Sequence, residues 1–408
     1  MRKAKVLTRQ QKNGIIAALF LFQYSLLIPL MGYFNSTLVI AASGILLMAA
    51  VFKVNCHIVL NKWYCLLAFG ISVLVMLKSM IDDSELKVLF TFLMISLPAS
   101  IVFSYQFDKE TFLQWCVRLA YVNAFILLFS HFALKKIAYM RFGYGMLLTV
   151  LFSYLVVFNH LSFKRRGTKL ANDITVRIFR IVILIVSFFT TVILGSRGAL
   201  ISILSFIAIN VFLIHKKNSL RNIVLFIVAF VAIWNMDSIL SIAISLCNQI
   251  GVRSYALKKY QYQLTYGIKE ASSGRSSLYE MAFNQIIANP FFGSKMISYD
   301  DGTHYVHNLF LQVGRDMGIL PMLLVIVHFF YCIYLMSSRK YDAQAKTIIA
   351  VFFCVSIVRL LISSNLWERP EYWACMCITL NAKIIFMPSS SPPQPIPCIE
   401  NLIIEKTG

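Results

Sequence analysis

Residues 272–321 read SSGRSSLYEMAFNQIIANPFFGSKMISYDDGTHYVHNLFLQVGRDMGILP. This is the widest polar interval in an otherwise apolar chain. It gathers the side chains able to do chemistry: Arg275, Glu280, Lys295, Asp300, Asp301, His304, His307, Arg315 and Asp316. The contrast with the rest of the chain decides the fold. Everything upstream reads as a scaffold that carries this one loop to a surface.

Working outward, the composition fixes what kind of scaffold. Hydrophobic residues make up 59% and charged residues 13%, with a mean hydropathy of +0.74. So little charge cannot cover a water-soluble protein of 408 residues, so the expected fold is an all-α polytopic membrane bundle. The net charge of +21 would raise nucleic-acid binding in a soluble chain. Here the basic residues sit in short loops between apolar runs, which is the positive-inside bias of membrane proteins. Of the cysteines, Cys65, Cys116, Cys332, Cys354, Cys375 and Cys377 fall in apolar runs and read as small hydrophobes. No Cys/His spacing in the sequence matches a zinc motif, and the reading expects no metal and no cofactor. The opening MRKAKVLTRQQK followed by GIIAALFLFQYSLLIPLM has no prompt small-residue cleavage site, so it reads as the first span.

Apolar runs of spanning length lie at 14–31, 35–52, 63–80, 86–104, 112–134, 142–161, 176–194, 198–214, 220–240, 317–336, 346–364 and 370–387. They predict about 12 transmembrane helices. Domain boundaries follow: a transmembrane bundle over 1–240, a large loop over 241–316, C-terminal spans over 317–387, and a Pro/Ser-rich disordered tail over 388–408. Basic clusters fall at Arg2, Lys3, Lys5, Arg9 and Lys12, at Lys53 and Lys62, at 164–177, at Lys216, Lys217 and Arg221, and at Arg339, Lys340 and Lys346. These put both termini in the cytoplasm and residues 241–316 in the periplasm. Lys135, Lys136 and Arg141 break the pattern.

Within the large loop, Ser/Gly before Arg275 and the Asn289-Pro290 and Gly293 breakers bound one helix. Residues 304–336 are too long for one span. Gly314, Gly318 and Pro321 mark break points, which predicts a short helix over 304–313 and then a full span. Such irregular backbone at membrane depth requires a cavity or burial in protein.

Each candidate has a plain alternative. Arg197, in Gly195-Ser196-Arg197-Gly198, is costly between two apolar runs unless it faces a cavity or a partner; otherwise it is a snorkelling turn arginine. Arg275 has the fork of donors that suits a diphosphate, or is a solvated loop residue. His307 can take a proton near neutral pH, or be a packed histidine. Asn308 can hold a sugar hydroxyl. Asp316 and Glu280 can orient a base, or pair with Arg315 and Arg275. Tyr255, Tyr262 and Tyr266 offer a stacking platform for sugar rings or an interfacial belt. Trp367 and Arg369 can border a substrate, though a tryptophan there also suits interface anchoring. Arg359 lies in an apolar run and requires a partner or a water path.

Gly195-Ser196-Arg197-Gly198-Ala199, Gly274-Arg275 with Tyr279, Asn289-Pro290-Phe291-Phe292-Gly293, and His307-Asn308-Leu309-Phe310-Leu311-Gln312 followed by Gly318 occur in an order and spacing that resembles the O-antigen ligase/polymerase superfamily (Wzy and WaaL type). The resemblance covers roughly residues 190–325. It departs from the family at Tyr279, where a tryptophan is common, and at Arg315-Asp316, where an acidic residue near the glycine is usual. It implies glycosyl transfer at the periplasmic face from a glycan on undecaprenyl diphosphate, without a nucleotide sugar, an obligatory metal or another cofactor. By motif, it implies His307, Arg275 and Arg197 as catalytic residues. Arg315, Asn308, Tyr262, Trp367 and Arg369 are the expected substrate contacts, Arg369 through a Trp-x-Arg similarity to ligases. The expected partners are the undecaprenyl-diphosphate-linked oligosaccharide, inner-membrane lipid and a chain-length-regulating co-polymerase, with no nucleic acid. The expected activity is that of an O-antigen repeat-unit polymerase. The alternatives are an O-antigen ligase acting on lipid A-core and, from a different class, a polysaccharide flippase or transporter.

Overall fold

Helices account for all the regular structure in the described part of the chain. The structure is a computed structural model that describes residues 7–58, 61–80, 86–131, 139–158, 160–161, 174–194, 197–215, 236–249, 261–262, 275–294, 306–363 and 365–386. The helices are α1 Arg9–Leu27, α2 Ser36–Asn55, α3 Lys62–Ser79, α4 Leu86–Val102, α5 Lys109–Phe129, α6 Tyr139–Val157, α7 Ile174–Leu194, α8 Arg197–Ile209, α9 Met236–Gln249, α10 Arg275–Ala288, α11 Leu309–Met317, α12 Ile319–Ser337, α13 Ala343–Phe353, α14 Pro370–Leu380 and α15 Ala382–Phe386. They fall on each predicted apolar interval except 220–240, most of which lies outside the described residues. Five are long and apolar enough to cross a membrane: Ser36–Asn55, Lys62–Ser79, Lys109–Phe129, Thr175–Val192 and Ile319–Ser337. Others, such as Leu86–Val102 and Arg141–Val157, are apolar but shorter. Helix is the form these runs must take, because in hydrocarbon each backbone N–H and C=O has to be satisfied within its own segment.

The helix starts are written in the loops. Thr8 forms a capping box with Gln11, and Asn35, Asn61, Asp108 and Asp342 each accept from backbone N–H groups of the first turn that follows. These caps sort the loops onto two ends. At one end Asn13 bonds Asn55 and the Gln106 carbonyl, Tyr105 donates to the His57 carbonyl, Lys109 pairs with Asp342, and Asn61 donates to Asn381. At the other end Arg141 donates to the Met31 carbonyl at 2.7 Å. Arg141 is one of the basic residues that broke the charge pattern. The bond gives it a local task, satisfying a carbonyl in the turn between α1 and α2. An aromatic core ties the bundle together, with Phe103 edge-on to both Phe20 at 5.5 Å and Phe352 at 5.2 Å between ring centres.

The break between α11 and α12 positions the site. The short helix begins at Leu309 and ends at Met317, later than the predicted 304–313, because Asn308 supplies its cap and Gly318 its stop. Gly318 has φ 95° and ψ 179°, a conformation reserved for glycine. A Cβ there would run into the backbone of Pro290 and Phe291. Ile319 N bonds the Pro290 carbonyl at 2.8 Å, so the α10 stop and the α11 stop brace each other. Gly318→Ala is expected to lower the melting temperature of the purified protein, since strained backbone alone costs about 1–3 kcal/mol. An unchanged melting curve would show that the junction relaxes freely.

Candidate functional site

The 306–318 stretch and residues 365–371 meet through polar bonds between groups about 50 residues apart in sequence. Gln312 Nε2 donates to Asn365 Oδ1 at 2.7 Å, and Leu366 N donates back to Gln312 Oε1 at 3.4 Å. One turn on, Trp367 Nε1 donates to Asp316 Oδ2 at 3.0 Å. Spacing of i and i+4 puts Gln312 and Asp316 on one face of α11, so the face that reads as polar in sequence is buried against the 365–371 segment. Arg315 closes the arrangement, donating from Nε at 2.8 Å and from an Nη at 2.6 Å to Asp316 Oδ1. Both side chains are almost wholly buried. Lys78, at the end of α3, donates to the main-chain carbonyls of Asp316 and Ser294, which neutralises the carbonyl end of α11.

A second cluster lies beside this junction. The Arg359 guanidinium stacks 3.9 Å from the Tyr144 ring centre and lies 5.2 Å from that of Tyr24, with Glu371 at 3.8 Å. The Arg369 guanidinium sits 5.1 Å from the same Tyr24 ring. Two cations thus lie against one aromatic ring. Cation–π attraction is worth about 2 kcal/mol or more when water is excluded. Glu371 acts on both guanidinium groups, and Glu368 also lies within electrostatic range of Arg369. Glycine at 198 is required here by close approach, since a Cβ would strike the Tyr144 hydroxyl. Gly198 therefore packs directly against the side chain that carries Arg359.

The expected site residues divide as follows. His307 has φ 61°, a left-handed conformation uncommon outside glycine, and its Nδ1 is buried. Asn308 caps α11 by accepting at its side-chain oxygen from the N–H groups of Phe310 and Leu311. Arg315 and Trp367, expected as substrate contacts, both bond Asp316, which is the geometry of the pairing reading of Asp316 with Arg315. Arg275 is the first residue of α10, whose first turn holds no acidic residue, so its charge adds to the positive end of the helix dipole. Arg369 joins the cation cluster. Tyr262 is exposed. Arg197 opens α8, with a side chain outside the described residues, as are Tyr255, Tyr266, Lys295, Asp300, Asp301 and His304. Tyr24, Tyr144 and Glu371 carried no signal in the sequence, because aromatics in spans are ordinary. Arg359 did carry one, since it required a partner.

An apolar groove of about 340 Å³ runs beside the junction between α3, α11, α12 and α14. Leu66, Gly70, Met317, Pro321, Leu366 and Trp373 are among its walls.

Gly198→Ala is expected to push the Tyr144 ring off Arg359 and lower the melting temperature, and Tyr144→Phe in the same chain is expected to restore part of the loss. A double variant no better than Gly198→Ala alone would mean that the glycine serves something other than this close approach.

Over the described residues, fold and site together define a helical protein with five helices long and apolar enough to cross a membrane and a buried cluster of arginines, tyrosines and a glutamate at one end. No protein-family model matches the chain, and no curated protein matches it in sequence.

Proposed function

We propose that the chain is an O-antigen repeat-unit polymerase of the bacterial inner membrane, a metal-independent glycosyltransferase with a lipid-linked donor. In this reading about 12 spans hold residues 241–316 in the periplasm, with both termini cytoplasmic. The end that gathers residues 8–13, 55–61, 105–109 and 342 also carries most of the basic loop clusters, which supports placing it inside. The cation cluster and His307 then belong to the periplasmic end.

The observation that carries the proposal is the convergence of Arg359 and Arg369 on Tyr24, beside the segment that follows His307 and next to an apolar groove. A glycan on a polyprenyl diphosphate has three parts, and each has a complement here. Arginine forks suit the diphosphate. The groove suits an isoprenoid tail. The polar loop is left to the sugars. In the transfer, His307 removes the proton of the acceptor hydroxyl, the oxygen attacks the anomeric carbon, and the bond to the diphosphate breaks. The electron pair leaves with undecaprenyl diphosphate, whose charge the arginines stabilise; Arg275 and Arg197 join them.

The test is the lipopolysaccharide of a strain lacking the gene. Lipid A-core capped with a single repeat is the polymerase result. Uncapped core identifies a ligase, the reading that Trp367-Glu368-Arg369 favours. A strain that fails to expose any lipid-linked repeat at the outer leaflet identifies a flippase.

A further inference from the structure

The middle of α12 carries polar groups that the proposed transfer does not use. His328 is the tenth of the 19 residues of Ile319–Ser337, and Cys332 lies one turn further on the same face. From α14, Cys375 and Thr379 repeat that spacing. Cys332 Sγ is 3.6 Å from His328 Nε2, and His328 Nε2 is 2.9 Å from Thr379 Oγ1. Ligand atoms of His328, Cys332 and Cys375 all lie within 4.8 Å of one another, and all three residues are buried. The Thr379 hydroxyl is 2.9 Å from the Cys375 carbonyl. Its proton turns back into its own helix, and a lone pair is left facing the imidazole.

We propose that His328, Cys332 and Cys375, with the Thr379 hydroxyl as fourth donor, form a structural zinc site that clamps α12 to α14 at the centre of the bundle. The donor set is the imidazole and thiolate chemistry that selects a borderline-soft cation. The spacing fits as well: Zn–S near 2.3 Å and Zn–N near 2.0 Å about a tetrahedral ion leave sulfur and nitrogen roughly 3.5 Å apart. Charge decides between occupied and merely packed. On binding, the thiol protons of Cys332 and Cys375 are released and zinc displaces the proton on His328 Nε2, which moves to Nδ1. Two thiolates, a neutral imidazole and a divalent ion sum to zero, so the loaded site places no net charge in an apolar interior. The location gives the clamp a purpose. α12 continues directly from the Gly318 junction, and α14 begins beside Arg369 and carries Glu371. Fixing the two helices at mid-height fixes the spacing of the two segments that meet at the site.

The experiment uses the full-length protein in nanodiscs. As purified, it is expected to hold about one zinc per chain. After stripping, it is expected to take up Co²⁺ with a thiolate-to-cobalt charge-transfer band that Zn²⁺ abolishes. Cys332→Ser/Cys375→Ser is expected to lose both signals, whereas Cys65→Ser, at an exposed thiol, keeps them. Wild-type protein with neither zinc nor the cobalt band overturns the proposal, whatever the folding of the variants. So does a band that survives the double substitution. Binding of Cu⁺ with no uptake of Co²⁺ or Zn²⁺ overturns the zinc assignment.

Discussion

Replacing His307 with alanine is expected to remove the long-chain ladder from the lipopolysaccharide while the protein still inserts and accumulates normally. Loss of a general base costs roughly 10²–10⁴-fold in rate, enough to leave core capped with one repeat. The backbone complicates a plain alanine test. His307 sits at φ 61°, and a Cβ-bearing residue without a polar side chain pays strain there, whereas asparagine and glycine tolerate it. Three variants separate the two causes. If the imidazole is the base, His307→Ala, His307→Asn and His307→Gly all lose the ladder. If the residue matters only because it turns the chain into the Asn308 cap, Asn and Gly keep the ladder and Ala alone is impaired. Arg275→Ala in parallel reports the diphosphate side. It is expected to raise the requirement for the lipid-linked donor, because removing a cation weakens anion binding as well as the charge stabilisation of the leaving group. A full ladder from both His307→Gly and Arg275→Ala would end the catalytic assignment.

The parts of this molecule legible in the sequence are those set by local chemistry. Asn289-Pro290 and Gly318 were readable as stops, because proline and a left-handed glycine act on their own backbone. The structure has α10 ending at Ala288 and α11 at Met317. Apolar runs were readable as helices for the same reason. What could not be read was pairing across distance. Arg359 announced that it required a partner, yet nothing in its neighbourhood named Tyr144, more than two hundred residues upstream, or Tyr24. Trp367 read as a substrate contact or an interface anchor, because its bond to Asp316 exists only once α11 folds back on the 365–371 segment. Lys78 lies in sequence close to Asp82, Asp83 and Glu85, and its role at the carbonyl end of α11 depends on where α3 ends in space. His328 and the cysteines near it were silent altogether. Zinc motifs are recognised by close spacing along the chain, whereas these donors come from two helices whose proximity is a property of the bundle.

Asp316→Ala is expected to be the most destabilising single change at the junction, on the order of 3–5 kcal/mol. The reason lies in what it leaves behind. Burial pushes the Asp316 carboxyl up from the usual carboxylate range, and Arg315 and the Trp367 N–H pull it back. With the carboxylate gone, the almost wholly buried Arg315 guanidinium loses the Asp316 ion pair, and that penalty exceeds any single lost bond. Trp367→Phe removes only one donor from the same carboxylate, so it is expected to cost less, about 1–3 kcal/mol. The ordering is measurable by thermal unfolding in detergent. The informative variant is the double one, Arg315→Met with Asp316→Leu. Replacing a buried ion pair by apolar side chains of similar size is often neutral, so stability is expected to return toward wild type. The ladder from that variant then separates the two roles considered for Arg315. A stable protein with a full ladder assigns the pair to architecture. A stable protein without one returns Arg315 to the substrate, because a purely structural pair would not be missed once the fold is restored.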